Sequence, residues 1–249
     1  MDARPTDRAA GLALGLLLPF LLLAPAATAE TALHDAARAG AVGQIDALVA
    51  QYGVDPTDVY FVTPLHVAAE AGHAEVARAL LERGAAVDSA DARGWTPIHY
   101  AARYGHVEVT VLLAERGADV DRAGRDQQTP LQLAARRGHA EVAEALIEAG
   151  AAVGTHRPSH PTALHLAVMG GHPGMVSLLI RAGADVDAQV GRGVTPLHLA
   201  ALDANPSIVA SLVEAGADRD LENQDGATPI QVAARHGHEE ALLPQVAAE

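Results

Sequence analysis

The chain has 249 residues, and its formal net charge of −14 argues against nucleic acid as the main ligand, because phosphate binding requires a basic surface. The absence of cysteine excludes disulfides, thiolate metal ligands and a cysteine nucleophile. Hydrophobic residues make up 49% of the sequence but aromatic residues only 3%, a balance that favours small, closely packed helices over a sheet sandwich with an aromatic core.

The first element in chain order is a predicted signal peptide at residues 1–29. A short segment with two arginines precedes the apolar stretch Gly11–Ala24, and Ala27-Thr28-Ala29 has the small-x-small pattern of a cleavage site. We therefore expect cleavage after Ala29 and a periplasmic or secreted protein of bacterial origin. The alternative is an uncleaved membrane anchor, because Gly11–Ala29 is an uncharged stretch of 19 residues.

The rest of the chain repeats one pattern with a period of 33 residues. Each copy is marked by a threonine, and these are Thr31, Thr63, Thr96, Thr129, Thr162, Thr195 and Thr228. A fixed period of this size indicates a stacked array of units that share one continuous core. The predicted units span residues 30–62, 63–95, 96–128, 129–161, 162–194, 195–227 and 228–249.

The second unit shows how local chemistry predicts a pair of short helices. Thr63 is placed to N-cap the first helix, and Pro64 occupies its first position, where a missing N–H is harmless. Gly72 closes this helix, and Gly84 suits the left-handed stop of the second one. The equivalent structural residues in other units are Thr96 and Pro97, Thr129 and Pro130, and Thr195 and Pro196.

The units also share a signature string. It reads TPLHVAAEAGH, TPIHYAARYGH, TPLQLAARRGH, TALHLAVMGGH, TPLHLAALDAN and TPIQVAARHGH, with TALHDAARAGA as a divergent first copy. By these motifs the chain resembles the ankyrin repeat family over residues 30–249. The resemblance implies an all-α repeat solenoid, in which helix–turn–helix units are joined by β-hairpin-like loops. The end units diverge as caps do, and Pro244 is expected to end or kink the last helix.

Thirteen histidines raise the question of a metal or catalytic site, but the repeat accounts for ten of them. In the ankyrin family the motif histidine bonds near the threonine hydroxyl and to the next unit's backbone. This implies a structural role for His66, His99 and His198. Two other histidines, His156 and His160 in the loop HRPSH, supply too few ligands for a zinc site, so we interpret this segment as an irregular loop.

The sequence contains no signature of an enzyme. H-E-x-x-H, G-x-S-x-G, Walker A and a strand-linked G-x-G-x-x-G are all missing. We therefore expect a non-catalytic, monomeric protein, without cofactor or metal, that scaffolds, protects or inhibits another protein. A membrane-tethered adaptor follows if the leader is retained, and a metal-dependent hydrolase built on the loop histidines is a remote alternative.

The resemblance also indicates where a partner is expected to bind. Ankyrin partners are usually contacted by the loop tips before Thr-Pro and by the end of the first helix. Carrying these positions over gives the predicted partner-binding residues Tyr60, Arg93, Trp95, Arg103, Tyr104, Arg125, Arg136 and Arg137, and in later units Met169, Leu202, Arg235 and His236. Arginine and aromatic residues are frequent hot spots, and the cations suit an acidic or mixed partner surface. The competing interpretation is that Trp95 and Tyr104 pack on neighbouring loops.

Overall fold

Thirteen α-helices form the part of the chain that this computed structural model describes, namely residues 29–155, 160–203 and 205–238. In chain order they are α1 Ala29–Arg38, α2 Val42–Tyr52, α3 Pro64–Ala71, α4 Ala74–Glu82, α5 Pro97–Tyr104, α6 Val107–Glu115, α7 Pro130–Arg137, α8 Ala140–Glu148, α9 Ala163–Met169, α10 Pro173–Arg181, α11 Pro196–Asp203, α12 Pro206–Glu214 and α13 Pro229–His236. No extended strand lies within these ranges, and an antiparallel bridge between Val190 and Val194 closes one loop. The predicted all-α repeat solenoid is confirmed.

The helices stack in two layers. The odd-numbered helices pack side by side in chain order from α1 to α13, and the even-numbered helices from α2 to α12 pack likewise behind them. Helices of 7 to 11 residues are unstable alone in water, so the core between the layers must hold them. Fully buried leucines recur in this core at the same place of successive units, and burial of each contributes about 1.5–3 kcal/mol. They are Leu80, Leu113, Leu146, Leu179 and Leu212.

The helix starts follow from the Thr-Pro pair. Thr63 caps α3 by accepting the backbone N–H of His66, and Pro64 fills the first turn, as predicted. The first unit differs, because α1 begins at Ala29, two residues before Thr31. No proline follows Thr31 to disfavour helical backbone at that threonine, so the helix extends further upstream.

Glycines in the left-handed conformation end four of the odd-numbered helices, namely α3, α5, α7 and α13. Gly72 has a φ of +77° at the end of α3, and a Cβ there would lie 2.5 Å from Nδ1 of His106 in the next unit. Gly84, which follows α4, also has a positive φ of +86°, but open space surrounds the place of its Cβ. Only the first glycine is therefore required for packing between units as well as for its backbone conformation.

No helix in the described part of the chain is long and apolar enough to cross a membrane. The predicted leader, apart from Ala29 itself, lies outside the described residues, as do His156 of the HRPSH loop and Pro244. The expectations for these segments stay predictions.

Candidate partner-binding face

Loop tips and odd-numbered helices together form one surface, which we call the inner face. It consists of the described tips, each named after the unit whose motif threonine it precedes, and of the fifth, eighth and ninth residues counted from that threonine. The two groups line a common cleft of about 380 Å³, to which Val59 and Arg93 contribute from the tips and Asp35, Glu70 and Tyr100 from the helices. A partner that enters this cleft contacts both groups of residues at once.

The motif histidines lie beneath this surface, and that of the second unit uses both ring nitrogens in hydrogen bonds. Nδ1 of His66 accepts the Thr63 backbone N–H at 3.1 Å, and Nε2 lies 3.1 Å from the carbonyl oxygen of Trp95 in the tip of the third unit. Because a carbonyl only accepts and an N–H only donates, these partners fix the neutral tautomer with hydrogen on Nε2. Both ring nitrogens of the buried His66 are occupied, which excludes it as a metal ligand in this fold.

The same bonding recurs along the array. Nε2 of His198 lies 2.9 Å from the carbonyl oxygen of Ala227. Where glutamine replaces histidine, Gln132 accepts the Thr129 N–H and donates to the carbonyl of Pro161 at 3.1 Å. These units are thus bonded forward to the tip of the next one.

Burial lowers the pKa of His66, and it lowers that of His99 to about 4. His99 differs from His66 in one respect, because no group within hydrogen-bonding geometry meets its buried Nε2 in the described chain. Trp95 stacks on the His99 ring with centroids 6.0 Å apart, which helps to exclude water from it. Both histidines are therefore neutral at physiological pH.

A second set of histidines bonds in the opposite direction, and the sequence pattern does not predict these bonds. His106, at the start of α6, bonds through Nε2 to the carbonyl of Glu70 at 2.8 Å. His139 and His172 bond likewise to the carbonyls of Arg103 and Arg136, both at 3.1 Å. These acceptors are the eighth residues of the preceding units, so the bonds fix the spacing of the inner face.

The core of the inner face is a cluster of charged and aromatic side chains around Asp91. The Tyr100 hydroxyl donates to the Asp91 carboxylate at 2.8 Å, and the same carboxylate accepts the backbone N–H groups of Arg93 and Trp95. Burial raises the pKa of Asp91, but these hydrogen bonds outweigh it and the net pKa is lowered. A charged, buried Asp91 thus anchors the tip of the third unit.

Arg93 extends this cluster to the surface. Its guanidinium donates to the Tyr100 hydroxyl at 2.6 Å and to Asp91 at 3.3 Å, and it lies 4.6 Å from the centre of the Trp95 ring. Arg103 lies over Trp95 as well, at 5.3 Å, and over Tyr104 at 5.8 Å. Four of the predicted binding residues therefore meet in one cation–π arrangement, which holds both guanidinium groups in place.

Trp95 departs from the expected role as a surface contact. Its side chain is only 3% exposed, and its indole N–H donates to Asp126 in the next tip at 3.3 Å. The ring is buried because it lies between His99, Tyr100 and two arginines. For Trp95 the competing interpretation of loop packing is correct, and the residue supports the surface from below.

Tyr104 continues the face toward the fourth unit. It is 44% exposed and lines a shallow depression of about 420 Å³ together with Arg103, Arg137 and His139. Arg136 and Arg125 are exposed as well, and the backbone N–H of Arg125 bonds to the Arg93 carbonyl at 2.8 Å. All five predicted arginines therefore lie on the same stretch of the inner face.

The tip of the second unit is unusually apolar. Val59, Tyr60 and Phe61 are 81%, 66% and 61% exposed, and the backbone carbonyl of Tyr60 accepts the Ala92 N–H. Phe61 has a φ of +62°, although the equivalent positions of three other tips are glycine. Tyr60 is among the predicted binding residues and Phe61 is not. Gln127, the equivalent residue of the tip of the fourth unit, has the same φ of +62°, so this conformation belongs to the turn, and what distinguishes Phe61 is an exposed aromatic ring.

Among the described residues there is no group of three or more His, Asp or Glu side chains arranged to hold a metal ion. His160 is described, whereas His156 of the same loop is not. The arrangement provides cations, exposed aromatic rings and apolar side chains, which are groups for binding.

Known proteins similar to this chain share its architecture. The family model described as ankyrin repeats matches in three copies, at residues 33–123, 121–190 and 164–244. The human ASB11 ankyrin repeat domain is 31% identical, with a TM-score of 0.77, over 86% of this chain and 96% of that one. The ankyrin repeat domain of Bcl-3, a member of the IkappaB protein family, is 30% identical, with a TM-score of 0.75, over 86% and 98%. No curated protein matches the chain.

Proposed function

Because the chain belongs to the ankyrin repeat family, whose domains generally bind other proteins, we propose that it is an exported, non-catalytic binding protein. Its partner is another protein, which it scaffolds, protects or inhibits. The observation that carries this proposal is the cluster of Arg93, Arg103 and Tyr104 on the buried Trp95 and Asp91. Side chains held in place before binding lose little entropy when a partner arrives.

Charge supports the same proposal. In a chain of net charge −14, several arginines elsewhere pair with nearby carboxylates, as Arg78 does with Glu75 and Arg116 with Glu82. No described carboxylate forms an ion pair with Arg103, Arg136 or Arg137. These free cations favour a partner whose contact surface is acidic or mixed.

The binding test compares two matched double variants. Arg103→Glu with Arg136→Glu reverses charge on the inner face, and Arg78→Glu with Arg181→Glu makes the same change on the even-numbered helices. Affinity capture from the native compartment, followed by mass spectrometry, is expected to lose the partner only with the first variant. Equal capture by both variants, at unchanged helical circular dichroism, would overturn the proposed binding face.

Export is tested separately by the intact mass of the mature protein. Removal of residues 1–29 is expected, and the mass then corresponds to a chain that starts at Glu30. A full-length mass in the membrane fraction contradicts cleavage and identifies the leader as an anchor.

A further inference from the structure

The eighth residues of successive units form a row in which cationic side chains give way to apolar ones and then to a cationic one again. From the third to the seventh unit the row reads Arg103, Arg136, Met169, Leu202 and Arg235. Helices α5, α7, α9, α11 and α13, which carry these residues, pack side by side in this order. The row therefore runs across the inner face as cation, cation, apolar, apolar, cation.

The two apolar members of this row are presented to solvent. Met169 is 57% exposed and Leu202 is 39% exposed, whereas the fifth residue of the same unit as Met169, Leu166, is buried at 2%. Arg136 and Arg235 are exposed on either side of the apolar pair. No described carboxylate forms an ion pair with either arginine. Neighbouring large apolar side chains on a surface mark a place of contact when polar groups flank them.

The spacing of the row selects one kind of ligand backbone. Packed helices lie about 8–10 Å apart, so each step along the row has about that length. A polyproline II segment advances about 9.3 Å per turn of three residues, and every third side chain points the same way. A β-strand turns alternate side chains to opposite faces, so it does not present every third residue to one surface. An α-helix matches this step only with every seventh residue, about 10.5 Å apart, so four contacts would require a helix of about six turns.

We propose that the inner face binds an extended, polyproline-II-like peptide segment of its partner with the order acidic, apolar, apolar, acidic at every third residue. The acidic residues pair with Arg136 and Arg235, and the two apolar residues cover Met169 and Leu202. This inference rests on the proposed binding function and adds the chemistry of the partner segment. It also places the apolar contacts in the fifth and sixth units, outside the cluster around Trp95.

The test uses a synthetic peptide of defined order. The fluorescein-labelled probe is Glu-Pro-Ser-Leu-Pro-Ser-Leu-Pro-Ser-Glu, and its control of identical composition is Leu-Pro-Ser-Glu-Pro-Ser-Glu-Pro-Ser-Leu. Fluorescence anisotropy with the mature chain is expected to show at least tenfold tighter binding of the probe. Equal affinities, or no binding of the probe, overturn the inference, because net charge and composition are the same in both peptides.

A swapped protein gives the matching control. The variant with Arg136→Leu, Met169→Arg, Leu202→Arg and Arg235→Leu keeps the net charge and reverses the order of the row. It is expected to prefer the control peptide, and circular dichroism monitors its fold. If the swap harms folding, Met169→Ser with Leu202→Ser serves instead and is expected to abolish the preference of the mature chain for the probe. A preference that survives in a folded variant contradicts the inference.

The two proposals fail in different experiments. Undiminished partner capture by Arg103→Glu with Arg136→Glu removes the proposed binding face, and with it this inference. If this variant loses the partner as expected but the two peptides bind with equal affinity, only the inference about the ordered peptide segment is overturned.

Discussion

The hydroxyl of Tyr100 donates a 2.8 Å hydrogen bond to the Asp91 carboxylate, which has only 3% of its side-chain surface exposed. This bond joins helix α5 to the tip that carries Arg93. A hydrogen bond to a buried charge contributes more than one between neutral groups, because the charge has lost its hydration. The pair therefore couples the stability of the third unit to the geometry of the binding face.

Replacement of Tyr100 by Phe removes this donor and leaves the packing of the ring intact. We expect the free energy of unfolding to fall by about 1.5–3 kcal/mol at neutral pH, since Asp91 retains its charge but loses a partner. Urea unfolding followed by circular dichroism measures the change. Tyr104→Phe is the control, because Tyr104 is partly exposed and its hydroxyl bonds to no described residue, so its effect is expected within about 0.5 kcal/mol. Equal effects of the two substitutions contradict the role of the bond.

Burial of His66 and His99 predicts that the fold weakens on mild acidification. Their folded-state pKa values lie below the ordinary value of 6.5, so below pH 6.5 the unfolded chain binds protons that the folded chain does not. The stability from each histidine is therefore complete above pH 6.5 and is lost as pH falls toward the folded pKa. For His99, with a pKa of about 4, the loss between pH 7.5 and pH 5 is about 2 kcal/mol.

The control for this pH effect comes from the array itself. Gln132 occupies the motif position in the fourth unit and bonds to Thr129 and Pro161 without a titrating group. The double variant His66→Gln with His99→Gln is therefore expected to fold and to lose less stability between pH 7.5 and pH 5. Urea unfolding at the two pH values measures the difference. An unchanged pH dependence shows that these histidines do not carry it.

Substitutions at two glycines distinguish the stability lost through backbone strain from that lost through a disturbed contact between units. Gly84→Ala places an alanine in the left-handed region with open space around it, and we expect a loss of about 1 kcal/mol. Gly72→Ala adds a Cβ 2.5 Å from the His106 ring, which must move away from its bond to the Glu70 carbonyl. Its loss of stability is expected to be larger by at least about 1 kcal/mol. Thermal or urea unfolding of the two variants compares them directly, and equal losses rule out the contact.

Because Phe61 is exposed and its backbone is strained, we expect its replacement to weaken partner binding without destabilising the fold. Phe61→Gly relieves the left-handed strain of about 1–2 kcal/mol, although glycine gives the unfolded chain more freedom. We expect a variant that is as stable as the natural chain or more stable by up to about 1 kcal/mol, with weaker partner capture. Tyr60→Gly is the control, since Tyr60 shows no such strain, and a loss of about 0.5–1 kcal/mol is expected. A clear destabilisation by Phe61→Gly refutes the strain argument.

Much of the fold is predictable because it is local and repeated. The cap by Thr63, the start at Pro64 and the bond of His66 depend on residues that recur at a fixed spacing, so one unit explains the others. The burial of Trp95 could also be predicted from the sequence. The residues at its place in other units include Val62, Val194 and Ala227, which indicate a position that faces inward. The single tryptophan of the chain favours a binding interpretation instead, because tryptophan is frequent among interface hot spots.

The cluster around Asp91 was not predicted, because it depends on how a loop folds back on a helix. Tyr100 stands at the fifth motif position, which valine and leucine fill in other units, and therefore reads as core. Its hydroxyl meets Asp91 only because the tip turns toward α5 and its backbone N–H groups orient the carboxylate. The only local signal is the spacing of aspartate and glycine in Asp91-Ala92-Arg93-Gly94, which is typical of a tight turn. Phe61 is not among the predicted binding residues, because its backbone conformation is visible only in the structure.

The two directions of histidine bonding have a consequence for the length of the protein. The second unit offers one ring N–H forward, from His66 to the Trp95 carbonyl, and another backward, from His73 to the Arg38 carbonyl, and the same acceptor positions recur along the array. Duplication or loss of one whole unit therefore leaves neighbours whose donors and acceptors still match. In the sixth unit Asn205 replaces the second histidine and caps α12 instead, so of the two histidine bonds this junction retains the forward one, from His165 to the Val194 carbonyl. A gene can thus gain or lose 33 codons and leave these bonds matched between the remaining units, whereas an insertion of another length inside a unit separates the donors and acceptors of that unit.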